Sequence, residues 1–467
     1  MRASAVVIGG GISGLAAAMR LAERLDPASI TLIEGESRLG GKIRTERTDG
    51  FLLEGGPDCF LATKSAGVEL CRRLGIADQL VGPDPAMRRS YVKRGGRLHR
   101  LPDGITGLVP SRLMPLLTTG ILSLRGRMRA GCELLVPRRR SPTLEESVAG
   151  FARRRFGAEA YDWLIEPLLS GIYAGNGEDL SLESTFPQLR ETEARDGSLL
   201  KPLLTARVRT RGTAAARTGF VTLPGGLGDL VEALSTRLAG TPILTGTTVR
   251  SVQEAVAGRG YLVRSSDGRT IEADAVVLAT PAHAAAVMVE TLDPDLGATL
   301  RCIPFVSTAT VSLAFPGHTI PAAPDGYGYV VPRIEGGPLV ACTWTSNKFP
   351  GRAPPGSVLA RCFIGRAGVD EVVHGEDGLL LDLARDELRT VHGITASPLL
   401  SRVVRWPHGM PQYTLGHPAR LARLAARLNA HPGLHLAGAS YHGVGIPDCI
   451  ASGWAAAESV TANVGVA

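Results

Sequence analysis

The sequence contains only seven cysteines among 467 residues, and no two of them form a CxxC pair. An odd number of scattered thiols does not suit a disulfide framework and is typical of a reducing compartment. Cysteine and histidine also fail to cluster at the spacings used by structural zinc sites. We therefore expect free, mostly buried thiols, no metal centre and a cytoplasmic location.

Aromatic residues make up only 5% of the chain, and lysine is nearly absent, because arginine supplies 46 of the 51 basic residues. The formal net charge is +7, but the arginines are scattered and no basic run is interleaved with aromatic residues. Proteins that bind single-stranded nucleic acid use such interleaved patches. The composition therefore argues against a nucleic-acid partner and places the positive charge on solvated faces.

No apolar run reaches the length of about 20 residues that a membrane-spanning helix needs. The best candidate is LMPLLTTGILSL at 113–124, which lies between Arg112 and Arg125. We predict an amphipathic packing helix there, with peripheral membrane contact as the most that it could support. Residues 5–8 read as a strand that runs into a glycine turn, so no signal peptide is expected.

A glycine-rich turn follows that first strand. The stretch VVIGGGISGLAAA contains G-x-G-x-x-G as Gly9, Gly11 and Gly14. The next strand pattern, SITLIE, ends in Glu34, twenty residues after Gly14. Strand, glycine turn, helix and acid in this order predict a dinucleotide site, with pyrophosphate at the helix N-terminus and a ribose hydroxyl at the acid.

A second glycine-rich stretch comes directly after Glu34, with Gly40, Gly41 and Lys42 ahead of a hairpin-like KIRTERTDGFLLEGG. This layout is typical of FAD-binding oxidoreductases, and Lys42 could neutralise a phosphate. A further G-x-G-x-x-G in the same context is absent from the sequence. We therefore predict that the substrate reduces the flavin and that oxygen or another small acceptor reoxidises it.

Strand, glycine turn and helix recur near the end of the sequence, in GLHLAGASYHGVGIPDCIASGWAAA at 433–457. That stretch lacks the G-x-G-x-x-G spacing and a following acid, so we predict that it completes the first site instead of forming a second one. Similar elements occupy 221–285. One folding unit would then be assembled from three separated segments of the chain.

Three stretches resemble the porphyrinogen oxidases of haem biosynthesis: EPLLSGIYAGNGEDLSLESTFPQL (166–189), RWPHGMPQYTLGH (405–417) and GASYHGVGIPDCI (438–450). Within that family, ACTWTSNKFP (341–350) and the GVGIPDC ending are most similar to the bacterial coproporphyrinogen III oxidases. The resemblance extends over essentially the whole chain. It implies an α/β fold: an amine-oxidase-like, Rossmann-like FAD-binding domain with an inserted α+β substrate domain and a helical domain.

The resemblance and the segment patterns together predict the domain boundaries. We assign 1–84, 221–285 and 433–467 to the FAD-binding domain. The substrate-binding domain takes 85–100 and 286–432, the helical domain takes 101–200, and 201–220 is a loop or linker.

The resemblance also implies the reaction. An FAD enzyme would oxidise coproporphyrinogen III to coproporphyrin III by removing six electrons, with O₂ as acceptor and H₂O₂ as product. The implied partners are a tetrapyrrole substrate, O₂ and a transient contact with ferrochelatase. Protoporphyrinogen IX is the alternative substrate. An amine oxidase or desaturase of the same fold, and a non-catalytic flavin protein that passes porphyrin to a chelatase, are further alternatives.

Site residues are carried over only where a motif matches. No catalytic base emerges from the residues. The substrate contacts implied are Arg89, Gly171, Tyr173 and Phe363. Cys59 stands where relatives often carry serine. The flavin contacts implied are Gly9, Gly10, Gly11, Ile12, Ser13, Gly14, Glu34, Gly35, Lys42, Gly56, Pro57, Asp58, Cys59, Val249, Trp406, Val444, Gly445 and Ile446.

Overall fold

The structure is a computed structural model that describes residues 2–102, 105–106, 109–110, 118–139, 145–202, 219–255, 260–322 and 324–463. Residues 113–117 of the packing helix predicted at 113–124 lie outside the described residues. For residues 119–123 the prediction is wrong, because they are not helical and the helix begins only at Leu124, after the Ser123 side chain caps it. Most of the linker predicted at 201–220 also lies outside the described residues.

The strands carry the labels β1–β20 in chain order. Their bounds are β1 Arg2–Ile8, β2 Ile30–Ile33, β3 Thr45–Thr48, β4 Phe51–Glu54, β5 Phe60–Leu61, β6 Ser90–Arg94, β7 Arg97–Arg100, β8 Ile105–Thr106, β9 Val109–Pro110, β10 Phe220–Val221, β11 Ile243–Leu244, β12 Val249–Glu254, β13 Tyr261–Ser265, β14 Thr270–Leu278, β15 Phe305–Pro316, β16 Gly328–Val330, β17 Leu339–Trp344, β18 Ser357–Ile364, β19 Leu400–Pro411 and β20 Leu434–Leu436.

The α-helices are labelled in the same way. Their bounds are α1 Ile12–Ala22, α2 Ser65–Arg73, α3 Leu124–Gly131, α4 Val148–Phe156, α5 Ala158–Ala160, α6 Glu166–Tyr173, α7 Leu182–Thr185, α8 Pro187–Asp196, α9 Gly228–Arg237, α10 Ala282–Val289, α11 Pro294–Arg301, α12 Thr345–Lys348, α13 Asp377–His392, α14 His417–Leu428 and α15 Ile446–Asn463.

The first sheet gathers strands from distant parts of the chain. Its order is β11-β2-β1-β14-β13-β12, and β20 pairs with β14 beside β13. The strands β11, β2, β1, β14 and β20 run parallel, and β12 and β13 extend the sheet as an antiparallel hairpin. β1 and β2 are near-continuous apolar runs because helices cover both faces of this part of the sheet.

The parallel strands end at one edge of the sheet, which is where ligands bind in open α/β sheets. β1 leads there into Gly9, β2 into Glu34 and β20 into Gly438. Helix α15 crosses α1 so closely that a Cβ on Gly453 would lie 2.2 Å from the Ser13 carbonyl oxygen. The last helix of the chain therefore packs directly behind the first turn.

The second sheet has the order β19-β15-β18-β17-β16-β6-β7 and is antiparallel except for the pairing of β16 with β6. One of its faces packs on α13 through a buried apolar cluster. Helices between residues 118 and 202 form a separate buried cluster that also takes in Tyr413. None of the described helices is both long and apolar enough to cross a bilayer.

Candidate functional site

The turn after β1 is shaped by the close approach of backbone to backbone. The Gly9 N–H donates to the Ile33 carbonyl oxygen at 2.7 Å, and Gly9 has a φ of +108°, a conformation that favours glycine. A Cβ on Gly14 would lie 1.8 Å from the Gly9 carbonyl oxygen. The first and last glycines of the motif are therefore required by the fold itself.

The middle glycine has a different environment. Gly11 is the N-cap of α1, and no described side chain caps that helix end. A Cβ on Gly11 would have no described atom within 4 Å, and the first turn of α1 contains no acidic residue. An uncapped helix N-terminus facing open space fits an anionic group such as a pyrophosphate.

The acid at the end of β2 borders the same turn. One Glu34 carboxylate oxygen accepts from the Gly10 N–H at 2.6 Å, and the other accepts from the Glu36 N–H at 2.7 Å. Each carboxylate oxygen has a second lone pair, so Glu34 can still accept from a ribose hydroxyl. The segment before Val249 lies alongside, because the Thr247 N–H donates to the Glu34 carbonyl oxygen at 2.9 Å.

The second glycine stretch packs against the first turn. The Gly40 N–H donates to the Gly10 carbonyl oxygen at 2.8 Å, and a Cβ on Gly41 would lie 3.1 Å from the Gly11 Cα. Lys42 follows, and its ammonium donates to the Gly409 carbonyl oxygen. Burial lowers the pKa of Lys42 below its ordinary value. Lys42 is thus a partly buried cation held by β19, and its contact with a phosphate stays a prediction.

After β4 the backbone returns to the second glycine stretch and packs against Lys42. A Cβ on Gly56 would lie 1.9 Å from the Lys42 carbonyl oxygen. The Gly55 carbonyl oxygen accepts from the Trp406 indole Nε1–H at 2.8 Å and from the Thr310 hydroxyl at 2.9 Å. Two side chains of the second sheet therefore fix the position of the loop at 55–59.

The turn at the end of the chain closes the site from behind. A Cβ on Gly438 would lie 3.7 Å from the Ser13 Oγ, and the Gly438 N–H donates to Ser452 Oγ at 3.0 Å. Helix α15 begins at Ile446, and Ile446 belongs to the same buried cluster as Ile12. Val444 packs against the cluster of the helical region. The donors, acid and cation present thus fit a dinucleotide such as FAD.

Comparison with known families agrees with this geometry. The family model described as flavin containing amine oxidoreductase matches residues 12–461. The chain belongs to this family. It is therefore an FAD-dependent oxidoreductase, as the glycine motifs predicted.

Relatives within the family are similar over almost the whole chain. A coproporphyrinogen III oxidase of Bacillus subtilis is 38% identical over 97% of this chain and 96% of its own. The human protoporphyrinogen oxidase is 34% identical over 98% of both chains. A solved structure from Exiguobacterium sp. 255-15, provisionally assigned as a protoporphyrinogen oxidase, superimposes with a TM-score of 0.85 at 33% identity over 98% of both chains. The resemblance to porphyrinogen oxidases and the amine-oxidase-like α/β fold are confirmed.

A buried ion pair lies beneath the loop at 55–59. The Lys348 ammonium donates to both Asp58 carboxylate oxygens, at 2.9 and 3.1 Å, and Arg361 lies 3.8 Å from the same carboxylate. Burial alone would raise the pKa of Asp58, but the charges of Lys348 and Arg361 outweigh it and hold that pKa below its ordinary value. Asp58 is thus an anion that the protein itself neutralises.

Cys59 is part of the same buried group. Its thiol donates to the Asp58 carboxylate at 3.0 Å, and burial raises the pKa of this thiol to about 12. A thiol with such a pKa stays protonated and inert at neutral pH. Cys59 thereby serves the buried Asp58 carboxylate as a neutral hydrogen-bond donor. All seven cysteines are free thiols, as expected, and the described residues contain no cluster suited to a metal ion.

Glu54 at the end of β4 is a second buried carboxyl group. It accepts from the Leu227 N–H at 2.8 Å and from the Thr45 hydroxyl at 2.7 Å. Burial raises the pKa of Glu54 from 4.5 to about 7, although these hydrogen bonds and the charges of Arg352 and Arg361 oppose the shift. The side chain is therefore half-protonated near neutral pH.

We expect the raised pKa of Glu54 to make the protein less stable as the pH rises from 4.5 to about 7. In that window the folded protein binds more protons than the unfolded chain, so the free energy of unfolding falls by about 1.4 kcal/mol per pH unit from this group. Urea unfolding of wild type and Glu54→Gln across this range measures the effect. The substitution should flatten the curve; an unchanged pH dependence would show that Glu54 titrates normally.

The residues predicted to contact substrate have different surroundings. Gly171 is exposed near the end of α6. Tyr173 is buried, with its ring edge-on to Phe186 at a centroid distance of 5.8 Å. Phe363 on β18 lies under the Arg361 guanidinium at 4.5 Å. Arg89 lies just before β6, exposed and paired with Asp325.

Sequence reasoning did not single out several residues that build the site: Thr310, Lys348, Arg361 and Tyr413. One signal was present, because Arg361 interrupts the otherwise apolar strand SVLARCFI. A charged residue inside a buried strand needs a partner, and its partners here are Asp58 and the Glu54 carbonyl oxygen at 2.8 Å.

Proposed function

We propose that this FAD oxidoreductase converts coproporphyrinogen III to coproporphyrin III in haem biosynthesis. The observation that carries the proposal is the full-length similarity to relatives named coproporphyrinogen III oxidase, at 38, 36 and 33% identity. The reaction removes six electrons and six protons from the tetrapyrrole. Three molecules of O₂ would accept them in three turnovers and leave three molecules of H₂O₂.

The bound flavin supplies the electron acceptor, and the chain's own residues supply binding and orientation. The uncapped N-terminus of α1 and the Lys42 ammonium suit the pyrophosphate. Glu34 suits a ribose hydroxyl, and the loop at 55–59 and residues 444–446 flank the remaining space. These assignments, with Arg89, Gly171, Tyr173 and Phe363 toward the substrate, are part of the proposal, as is the division into three domains.

The test is a direct assay with both porphyrinogens. The purified protein, saturated with FAD, is mixed under air with coproporphyrinogen III or protoporphyrinogen IX, and porphyrin fluorescence and H₂O₂ are followed together. We expect faster oxidation of coproporphyrinogen III and three H₂O₂ per porphyrin. Preference for the dicarboxylate would reverse the choice of substrate. Oxidation of neither would refute the proposal and favour an amine oxidase or a carrier protein.

Arg89 offers a test of substrate recognition. The Arg89 side chain is 47% exposed and its guanidinium is paired with Asp325, so it can turn toward a carboxylate of a bound substrate. We expect Arg89→Met to raise KM for coproporphyrinogen III about fivefold, the scale of a solvent-exposed ion pair, with little change in kcat. Arg97→Met, at the far end of the same hairpin, is the matched control. Equal KM values for Arg89→Met and wild type would remove Arg89 from the substrate site.

The finer partner and location assignments also belong to the proposal. Contact with ferrochelatase and peripheral membrane contact follow from the family resemblance, and a cytoplasmic location follows from the scattered, unpaired cysteines. Co-sedimentation of the protein with liposomes and with purified ferrochelatase would test the two contacts.

A further inference from the structure

The turn at 439–443 is fastened by a single tyrosine. The Tyr413 hydroxyl donates to the Ala439 carbonyl oxygen at 2.5 Å and accepts from the Gly443 N–H at 2.7 Å. One hydroxyl therefore joins the two ends of the turn. Tyr413 is completely buried, so water does not replace either hydrogen bond when the hydroxyl is removed.

A second side chain from the same part of the chain holds the middle of the turn. The His417 Nε2 lies 3.0 Å from the Tyr441 carbonyl oxygen, to which it can donate. The His417 and Tyr413 rings are stacked, with centroids 4.4 Å apart and planes 16° apart. Burial lowers the pKa of His417, which keeps the ring neutral. The segment 412–417 is thus hydrogen-bonded to both ends of the turn and to its centre.

The other side of this segment contacts the helical region. The Gln412 side-chain amide donates to the Tyr173 carbonyl oxygen at 2.8 Å, and the Tyr413 ring meets the Tyr173 ring edge-on at 6.0 Å. The Ser181 N–H donates to the Tyr413 carbonyl oxygen at 2.8 Å. The segment 412–417 is therefore a direct link between the helical region and the turn that leads into Val444–Ile446.

Gly443 has a φ of +127°, so its conformation depends on the contacts around it. Without the Tyr413 hydroxyl, the Gly443 N–H and the Ala439 carbonyl would both lose their partners. Each loss favours a rearranged turn that exposes these groups to water. Residues 444–446 and the first N–H groups of α15 would move with it.

We propose that Tyr413 is a positioning residue for the flavin, holding the turn at 439–443 so that residues 444–446 and the N-terminus of α15 are presented to the cofactor. The inference rests on the part of the proposed function that puts residues 444–446 against the flavin. A helix N-terminus favours negative charge nearby, and the acid in the first turn of α15, Asp448, is neutralised by the Lys64 ammonium at 2.7 Å. A displaced turn therefore weakens binding of the reduced, more negative cofactor more than binding of the oxidised form.

The test compares Tyr413→Phe with Tyr261→Phe. Tyr261 is also buried in the FAD-binding sheet, and its hydroxyl donates to the Pro432 carbonyl oxygen at 2.9 Å, away from the turn. Deflavinated protein is titrated with FAD, and the midpoint potential of the bound flavin is measured without substrate. We expect Tyr413→Phe to weaken FAD binding at least tenfold and to lower the ratio of reduced to oxidised affinity severalfold. Tyr261→Phe should leave both unchanged.

A drop in melting temperature alone, equal in the two variants and without change in affinity or potential, would overturn the proposal. If Tyr413→Phe does not fold, His417→Gln and His417→Leu replace it, because a glutamine amide can still donate to Tyr441 and a leucine cannot. FAD binding that is weaker in His417→Leu but not in His417→Gln supports the proposal. Equal FAD binding in the two variants refutes it. Failure of wild type to oxidise any porphyrinogen would refute the proposed substrate while leaving these flavin measurements intact.

Discussion

A Gly11→Ala variant is expected to fold normally and to lose FAD. The backbone of Gly11 has φ −69° and ψ 175°, a conformation that alanine adopts without strain. No described atom lies within 4 Å of the added Cβ, so the apoprotein should be as stable as wild type. The methyl group would occupy the surface on which the backbone approaches the pyrophosphate. We expect FAD affinity to fall about 100-fold, or about 2.7 kcal/mol.

Two other glycines serve as controls for this experiment. Gly378→Ala near the start of α13 also adds a methyl group into open space; it should stabilise the protein by up to about 1 kcal/mol through helix propensity and leave FAD binding unchanged. Gly14→Ala should lower both the stability of the apoprotein and its FAD affinity, because the added Cβ would overlap the Gly9 carbonyl oxygen. Titration calorimetry with FAD and thermal unfolding of the apoproteins separate the three cases. Normal FAD affinity in Gly11→Ala would mean that the pyrophosphate does not pass this residue.

Removing one partner of the Asp58–Lys348 pair is expected to destabilise the protein by about 4 kcal/mol. Both side chains are largely buried, with 9% and 16% of their surface exposed. Asp58→Asn leaves the Lys348 and Arg361 cations buried without their acid, and Lys348→Met leaves Asp58 with only the more distant Arg361 at 3.8 Å. Breaking a buried pair costs about 3–5 kcal/mol. Urea unfolding of the FAD-saturated protein measures the change as a shift of the midpoint.

The double variant Asp58→Asn with Lys348→Met should be more stable than Asp58→Asn alone, because it removes the ammonium that has lost its partner and leaves only Arg361 without an acid. We expect a coupling energy of about 2–3 kcal/mol. The exposed pair Asp386–Arg389, at 2.8 Å, is the control and should couple by less than about 0.5 kcal/mol. Additive losses in the double variant would contradict the buried pairing.

The sequence predicted the first half of the site because its parts are close together in the chain. Strand, Gly9, Gly11, Gly14, helix and Glu34 all lie between residues 2 and 34, and short-range geometry decides how such a unit folds. The stretch GASYHGVGIPDCI was also predicted to face that unit, and α15 does pack against α1. Whether FAD touches residues 444–446 stays a prediction.

The contacts between the second sheet and the loop at 55–59 could not be predicted from the spacing of residues in the sequence. Lys348 meets Asp58 across 290 positions, and Trp406 meets Gly55 across 351. These pairs exist only because the second sheet packs against the loop at 55–59, and nothing in the local sequence of either partner indicates the other. Glu54 likewise looks like an ordinary strand residue until its burial raises its pKa.

The central sheet also sets the order in which the molecule can be completed. β1 begins at Arg2, yet its partner β14 begins only at Thr270, and β20 adds to β14 from Leu434 onward. During synthesis the first glycine turn therefore exists long before the strand and helix that close it. Such long-range parallel pairing folds slowly, and the parallel part of the sheet can be completed only after β20 has been translated.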